Sequence, residues 1–314
     1  MKQNHLFPEY TMIGPFINHY MESYKKLLGL HSTVLITGET GTGKELVSRW
    51  LHYQDPKRRE QPFVKITLPN ISENIFESEI FGYEKGAFTG AIASKKGLIE
   101  VAEKGTIFFD EIENATPSIQ SKLLQLLEDR IYRKVGGTEY SSTDARFVIT
   151  TNMNLQVEVQ KGHFRSDLYY RLAVLEMHLP NLNHRQDDIL YLANYFLQGI
   201  SKQLGKTIQP LPKDKLLFLS SYRWPGNIRE LKNFIEKEVI FATSDTLDFE
   251  AMPKDMLQST NPVFLDYKSY IQEKEIEFFI EIYKQKNGIV EDIAASICMS
   301  IPFVYKKLKE FKIT

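Results

Sequence analysis

The chain has 314 residues, 42% of them hydrophobic and 25% charged, with a net charge of −1. That length allows about two or three domains of usual size, and the near-neutral balance carries no overall signature of nucleic-acid binding. The lone cysteine, Cys298, excludes an intrachain disulfide framework and fits a reducing cytosol, Met1 to Tyr10 lacks the apolar core of a signal peptide, and no apolar run approaches a membrane span, so the expectation is a soluble, cytoplasmic protein with no membrane partner.

Thr33–Thr37 is a short β-branched apolar run that ends in a glycine-rich turn, and Glu45–Tyr53 then reads as a helix. Further strands are predicted at Phe63–Thr67, Thr106–Asp110, Arg146–Thr151 and Val174–Leu179, with helical periodicity over Ser118–Asp129. Strands alternating with helices predict an α/β fold with a mainly parallel sheet covered on both faces. After Pro180 the strand signals stop. Helices are expected at Asp187–Leu204, Lys213–Tyr222 and Asn227–Thr243, forming a small all-helical domain. A linker with Pro253 and Pro262 follows, then a strong helix from Asp266 to Lys286, a stop at Asn287-Gly288, and two short helices.

Gly38, Glu39, Thr40, Gly41, Thr42, Gly43 and Lys44 lie between a strand and a helix. Such a turn aims backbone N–H groups at phosphate oxygens, and the helix N-terminus favours the same anion. Lys44 is positioned to reach the β and γ phosphates, while Glu45 stands where the usual pattern has a magnesium-ligating Ser or Thr. Gly86, Ala87, Phe88, Thr89, Gly90 and Ala91 form a second turn, whose glycines permit positive φ and whose aromatic tip suggests a partner. Asp110 and Glu111 end a buried strand at the edge where open α/β sheets place ligands. An Asp there can hold Mg²⁺, and the adjacent Glu can orient and deprotonate an attacking water, although the pair alone also fits a strand ending in solvated carboxylates. Thr151-Asn152 closes the next strand and can sense a γ phosphate. Arg165 and Arg171 can stabilise a transferring phosphoryl group, or Arg165 can simply pair with Asp167. Arg229 opens a helix that Asn227 would cap, with Glu230 in its first turn.

Together these segments resemble the central domain of bacterial enhancer-binding proteins, the AAA+ P-loop ATPases that activate sigma-54 RNA polymerase. The resemblance spans about Ile13 to Asn233 and rests on Gly38–Glu45, on Glu79–Ala91, on Gly97–Ile112 and on Trp224–Asn233. It implies residues 13–180 as the α/β ATPase subdomain and 181–250 as a helical lid, after an extension at 1–12. It also implies that ATP and Mg²⁺ are bound by the phosphate loop, Asp110 and Glu111. Thr151-Asn152 would be the first sensor and Arg229 the second. Arg165 and Arg171 would be arginine fingers acting on a neighbour's nucleotide, which makes the assembly a homo-oligomeric ring, in this family typically a hexamer. Phe88 and Thr89 would touch sigma-54 in the RNA polymerase holoenzyme.

The chain departs from the family pattern at several places. Thr67 replaces an Asn that restrains the catalytic Glu, Arg130 replaces a Gly in a second surface loop, and Leu182-Asn-His-Arg185 replaces Leu-Arg-x-Arg. After a linker at 251–265, residues 266–314 resemble a Fis-type helix-turn-helix that would bind upstream enhancer DNA. Ile293-Ala-Ala-Ser296 would pack closely, Ser300 would cap the second helix, and Tyr305, Lys306, Lys307 and Lys309 would face DNA, while Cys298 stands at the family's turn Gly. Those lysines also fit the solvated face of a dimerisation tail. The residues before Ile13 leave no room for a receiver domain, so the chain is expected either to resemble the receiver-less, phage-shock type of activator, with control by a separate negative regulator, by expression level or not at all, or to be a truncated form of a longer protein. Two rivals stay open: a AAA+ remodeller of another protein, and a DNA-binding regulator that uses ATP only as an assembly switch.

Overall fold

The computed structural model describes residues 12–247, 249, 267–286, 288–297, 299–311 and 313. Most of the N-terminal extension, the linker at 251–265, Asn287 and Cys298 lie outside the described residues. The chain divides into two compact units, Met1–Ala251 and Met252–Thr314. Among the described residues no helix is long and apolar enough to cross a membrane.

Five parallel strands form the main sheet of the first unit: β1 (Val34–Thr37), β2 (Phe63–Thr67), β3 (Thr106–Asp110), β4 (Arg146–Thr151) and β5 (Glu176–His178), in the spatial order β2-β3-β4-β1-β5. The last strand is shorter than the expected Val174–Leu179, because Val174 is exposed and pairs with no strand residue. Strand alternation divides the core in two. Val34, Ile36, Phe108, Val148 and Met177 face one side, under helices α1 (Pro15–Tyr24) and α2 (Lys44–Tyr53). Leu35, Ile66, Ile107, Phe109, Phe147 and Ile149 face the other. That side is covered by α3 (Glu73–Ile80), α4 (Leu98–Ala102), α5 (Pro117–Asp129), α6 (Leu155–Gln160) and α7 (Ser166–Leu172). Each fully buried large apolar side chain contributes about 1.5–3 kcal/mol, so a sheet filled on both faces explains why its strands read as apolar runs.

Thr116 starts α5 by accepting a hydrogen bond from the Ile119 N–H at 3.4 Å. The helix stops at Arg130, which takes φ +58°. A left-handed residue costs about 1–2 kcal/mol outside glycine. Here the side chain offsets that cost: its guanidinium donates to Ala145 O (2.9 Å) and His31 O (3.1 Å) and lies 4.6 Å over the Phe147 ring. The Arg130 departure is therefore a substitution that keeps the turn and adds its own anchor.

Three helices follow the sheet: α8 (Gln186–Gln203), α9 (Lys213–Ser221) and α10 (Asn227–Phe241). Trp224 is buried between them, donates from its indole to Leu219 O at 2.8 Å, and packs edge-on against Tyr222 and Phe234.

The second unit holds α11 (Tyr267–Gln285), α12 (Val290–Ser296) and α13 (Ile301–Glu310), joined by a core of Phe279, Val290, Ile293, Ala294, Val304 and Leu308. Ile293 and Ala294 pack as expected, whereas Ala295 faces outward. Ser300 sits at the N-cap position of α13, but its side chain makes no capping bond. Lys307 does not face outward as the sequence suggested. Its ammonium lies 2.9 Å from Glu275 and 3.6 Å from Glu310, 5.0 Å over the Phe311 ring. Positions 304, 307, 308 and 311 share one helical face, so Lys307 is drawn to the flank of the buried stripe. Tyr305, Lys306 and Lys309 are exposed.

Candidate active site

Residues 38–43 join β1 to α2 with their backbone wrapped around the helix start. Thr42 fixes the loop by donating from its hydroxyl to Glu39 O at 2.8 Å. Gly41 has φ +82°, and a Cβ there would lie 2.3 Å from the Gly226 carbonyl, so the lid lies too close for any side chain. Lys44 folds back over the loop, donating to Gly38 O (2.6 Å) and Glu39 O (3.0 Å). Burial lowers its ammonium below the usual lysine value. Glu113, Asp110 and Glu111 oppose that shift, and Arg229 adds to it. The charge balance around Lys44 thus brings together the loop, the end of β3 and the lid.

Asp110 and Glu111 stand at the C-terminal end of β3, opposite the phosphate loop. The Thr150 hydroxyl donates to Asp110 Oδ1 at 2.6 Å and accepts from the Glu111 N–H at 3.2 Å. Glu111 itself takes φ +59°, an uncommon conformation that costs of order 1–3 kcal/mol and clusters at functional sites. A cavity of about 510 Å³ is lined by Thr40–Val47, Asp110, Glu111, Asn152, Arg229 and an apolar end that includes Ile13, Ile17 and Phe196. One polar wall and one apolar wall suit a phosphorylated ligand with a flat base.

Most of the residues singled out in the sequence meet at this cavity, with three corrections. Thr151 is fully buried and bonds locally to Met153; strand alternation turns Thr150 and Asn152, not Thr151, towards the acidic pair. Glu45 lines the cavity, but its carboxylate oxygens are held by Arg49 (2.9 Å) and Lys65 (2.7 Å). Burial opposes its charge, yet those bonds keep Glu45 below the usual carboxylate range. Asn227 is no cap. It has φ +54°, is 1% exposed, accepts from the Leu182 N–H at 2.8 Å and donates to Thr40 O at 3.1 Å. Gly226 precedes the helix instead, with its N–H on Glu230 at 2.8 Å.

Arg165 and Arg171 stand apart from this cavity. Arg165 is exposed and binds Asp167 (2.7 Å) and Ser121 (3.1 Å), while Arg171 donates to Leu127 O at 2.8 Å.

Sequence reasoning passed over four contributors. Thr150 orients the acidic pair, and Glu113 accepts from the Asn152 N–H at 3.4 Å. Arg185, 3% exposed, donates to Thr42 O at 2.6 Å. Lys65 reaches the site from β2. Glu113 had a visible signal, as the third carboxylate of the run after the buried strand, and Arg185 had one as the arginine that keeps the last position of the Leu-Arg-x-Arg pattern.

Gly86–Ala91 forms a separate surface turn. It is closed by Gly86 N–H to Ala91 O (2.9 Å) and Ala91 N–H to Phe88 O (3.0 Å). Phe88 is 48% exposed and touches Tyr83 edge-on at 4.9 Å. Gly86 and Gly90 have φ +83° and +102°, with nothing near their Cβ positions. Ala87 packs on Gly136, and Tyr83 bridges Val135, so this turn rests on the neighbouring hairpin of Ile131–Arg133 and Tyr140–Ser142.

A family model described as the sigma-54 interaction domain matches residues 13–178, and one described as the AAA+ ATPase lid domain matches residues 183–263. The chain is 36% identical to the nitrogen fixation protein AnfA of Azotobacter vinelandii over 296 residues, covering 93% of this chain and 55% of AnfA. It is 38% identical to the regulatory protein AtoC of Escherichia coli over 291 residues, covering 90% and 63%. The chain thus spans roughly half to under two thirds of the curated relatives it matches. Among solved structures, NtrX from Brucella abortus in complex with ATP aligns with a TM-score of 0.69 at 28% identity, over 96% of this chain and 69% of that one.

Proposed function

The chain belongs to the sigma-54 interaction family of AAA+ ATPases, and from that premise we propose that it is an ATP-driven activator of sigma-54-dependent transcription. The observation that carries this reading is the pairing of one cavity, where Lys44, Asp110 and Glu111 converge, with a separate exposed turn tipped by Phe88 and Thr89. ATP is the substrate. Its phosphates would lie on the N–H groups of residues 40–44 at the start of α2, with Lys44 leaving its two carbonyls for the β and γ oxygens.

The residues fit Mg²⁺. The donors are hard carboxylate oxygens, and the described residues contain no cluster of three or more ligating side chains. Mg²⁺ is characteristically bound by one or two carboxylates plus phosphates and water. Asp110 would hold it, and the ion would neutralise charge developing on the phosphates. Glu111 would orient the attacking water and take its proton, with its backbone held by Thr150. Asn152 and Arg229 would face the γ phosphate from the sheet and the lid. Arg165 and Arg171, which do not line their own chain's cavity, would serve a neighbour's nucleotide in a ring of identical chains, a hexamer if the family's typical assembly holds here. ATP turnover would then move the Gly86–Ala91 turn against sigma-54.

The second unit would bind upstream DNA. Its three helices, the exposed Tyr305, Lys306 and Lys309, and four lysines against one Glu from Ile301 to Thr314, a net of +3, support that role.

The test is binding of purified sigma-54 in the presence of ADP and aluminium fluoride. The wild type should form a nucleotide-dependent complex that Thr89→Ala loses while still binding nucleotide. Measurable ATPase activity without any wild-type complex would point to a different client and sink the proposal.

A further inference from the structure

Lys65 lies in β2, two positions before Thr67 on the same strand face, and aligns in register with Phe108. Its ammonium lies 2.7 Å from Glu45 Oε2 and 3.5 Å from Asp110 Oδ2. One lysine thus links the helix that follows the phosphate loop to the carboxylate at the end of β3. Glu45 is itself fixed from a second direction by Arg49, at 3.1 and 2.9 Å. A carboxylate tied on both sides in this way serves as the seat of the lysine rather than as a ligand for a metal.

The consequence falls on Asp110. Its Oδ1 accepts from Thr150 at 2.6 Å, and its Oδ2 faces Lys65. Each carboxylate oxygen has two acceptor directions. The hydrogen bond on Oδ1 and the ammonium 3.5 Å from Oδ2 restrain rotation of the group and leave acceptor directions for the cavity. Three carboxylates, Glu113, Asp110 and Glu111, act on Lys44, and Lys65 adds a second fixed cation between Asp110 and Glu45 that limits their mutual repulsion. Lys65 is one-third exposed and lies 5.9 Å from the Phe108 ring centroid, so its stem rests on the sheet while its charge stays at the edge of the site.

We propose that Lys65 is a positioning residue of the nucleotide site. Seated on Glu45, it sets the orientation in which Asp110 meets the Mg²⁺–nucleotide complex. The inference rests on the ATP reading above and extends it to a residue that does not line the cavity.

The test measures binding of a fluorescent methylanthraniloyl-ADP across a Mg²⁺ titration and in EDTA, with a thermal melt of each variant. Lys65→Met keeps the stem and removes the charge. It should raise the Mg²⁺ concentration for half-maximal binding about tenfold, the lower end of the range for groups that orient metal ligands. Binding in EDTA should stay at the wild-type level. Lys65→Arg should restore the metal requirement. Glu45→Gln should raise it as Lys65→Met does, and the double variant should add little beyond either single change. An unchanged Mg²⁺ requirement in Lys65→Met overturns the proposal. A lowered requirement overturns it too, because Lys65 would then be competing with the metal. An equal loss with and without Mg²⁺ reduces Lys65 to packing. Failure of the wild type to bind the probe under any condition sinks the ATP reading along with the proposal, whereas the other outcomes leave that reading standing.

Discussion

The two ends of the central sheet carry the same kinds of residue and use them differently. At the C-terminal ends of the strands, Lys44, Asp110 and Glu111 border a cavity and remain partly exposed. At the N-terminal ends, Asp55, Arg58 and Arg146 are buried to within 1% and pair with one another, although Nε of Arg58 and Nε and Nη1 of Arg146 have no hydrogen-bond partner. Asp55 accepts from Arg58 (2.9 Å) and from the N–H groups of Gly29 (3.0 Å) and Lys57 (2.9 Å), with Arg146 at 3.6 Å. Burial opposes the Asp55 charge, but these partners hold it below the usual range, while burial pushes Arg146 down to about 10. The difference is in what surrounds the charges. Charges that close on each other hold the fold together, and charges that converge on a space are available to a ligand.

The sharpest separation should come from Glu111→Gln. Hydrolysis should fall by about 10²–10⁴-fold, the usual contribution of a positioned base, while nucleotide binding and the melting temperature stay near wild type. Steady-state turnover beside equilibrium binding checks this; wild-type turnover would remove Glu111 from the chemistry. Asp55→Asn should do the reverse. It leaves two buried guanidinium groups short of a counter-charge and should cost about 3–5 kcal/mol in stability, read as a shift of the denaturation midpoint. Undiminished stability would mean that the lower cluster is not the anchor its geometry indicates.

A smaller effect is expected from pH. His52, 1% exposed, bonds through Nδ1 with the Thr106 hydroxyl at 2.9 Å, and burial lowers it to about 4, with Asp55 opposing the shift and Arg58 and Arg49 adding to it. Between about pH 6.5 and 4 the unfolded chain binds the proton and the folded chain does not. Stability should therefore fall with falling pH across that window, by up to about 3 kcal/mol. His52→Gln should flatten that slope in denaturation curves taken at several pH values; an unchanged slope would assign it to other groups.

The sequence was most legible where local pattern decides the outcome. Three strands, Phe63–Thr67, Thr106–Asp110 and Arg146–Thr151, match their expected limits because each is a β-branched or aromatic run bounded by turn residues. The phosphate loop and acidic pair were legible for a similar reason: their chemistry lies in contiguous residues. Lys65 and Thr150 were not, since each enters the site through strand register or a contact between distant segments. Asn227 shows the same limit. Its residue type suits a helix cap, yet tertiary contacts with Leu182 and Thr40 took precedence. Lys307 was read as a surface charge and instead closes an ion pair across its own unit.

The seam between lid and phosphate loop has a mechanical meaning. Ile228 donates its N–H to Gly41 O at 3.0 Å, Asn227 grips Thr40 O, and Gly41 leaves no room for a side chain under Gly226. Tied by these contacts, the start of α10 and the loop form one mechanical piece, with the lid as its long arm. Any shift of the loop would carry the first turn of α10 with it and grow along the helix towards Phe241.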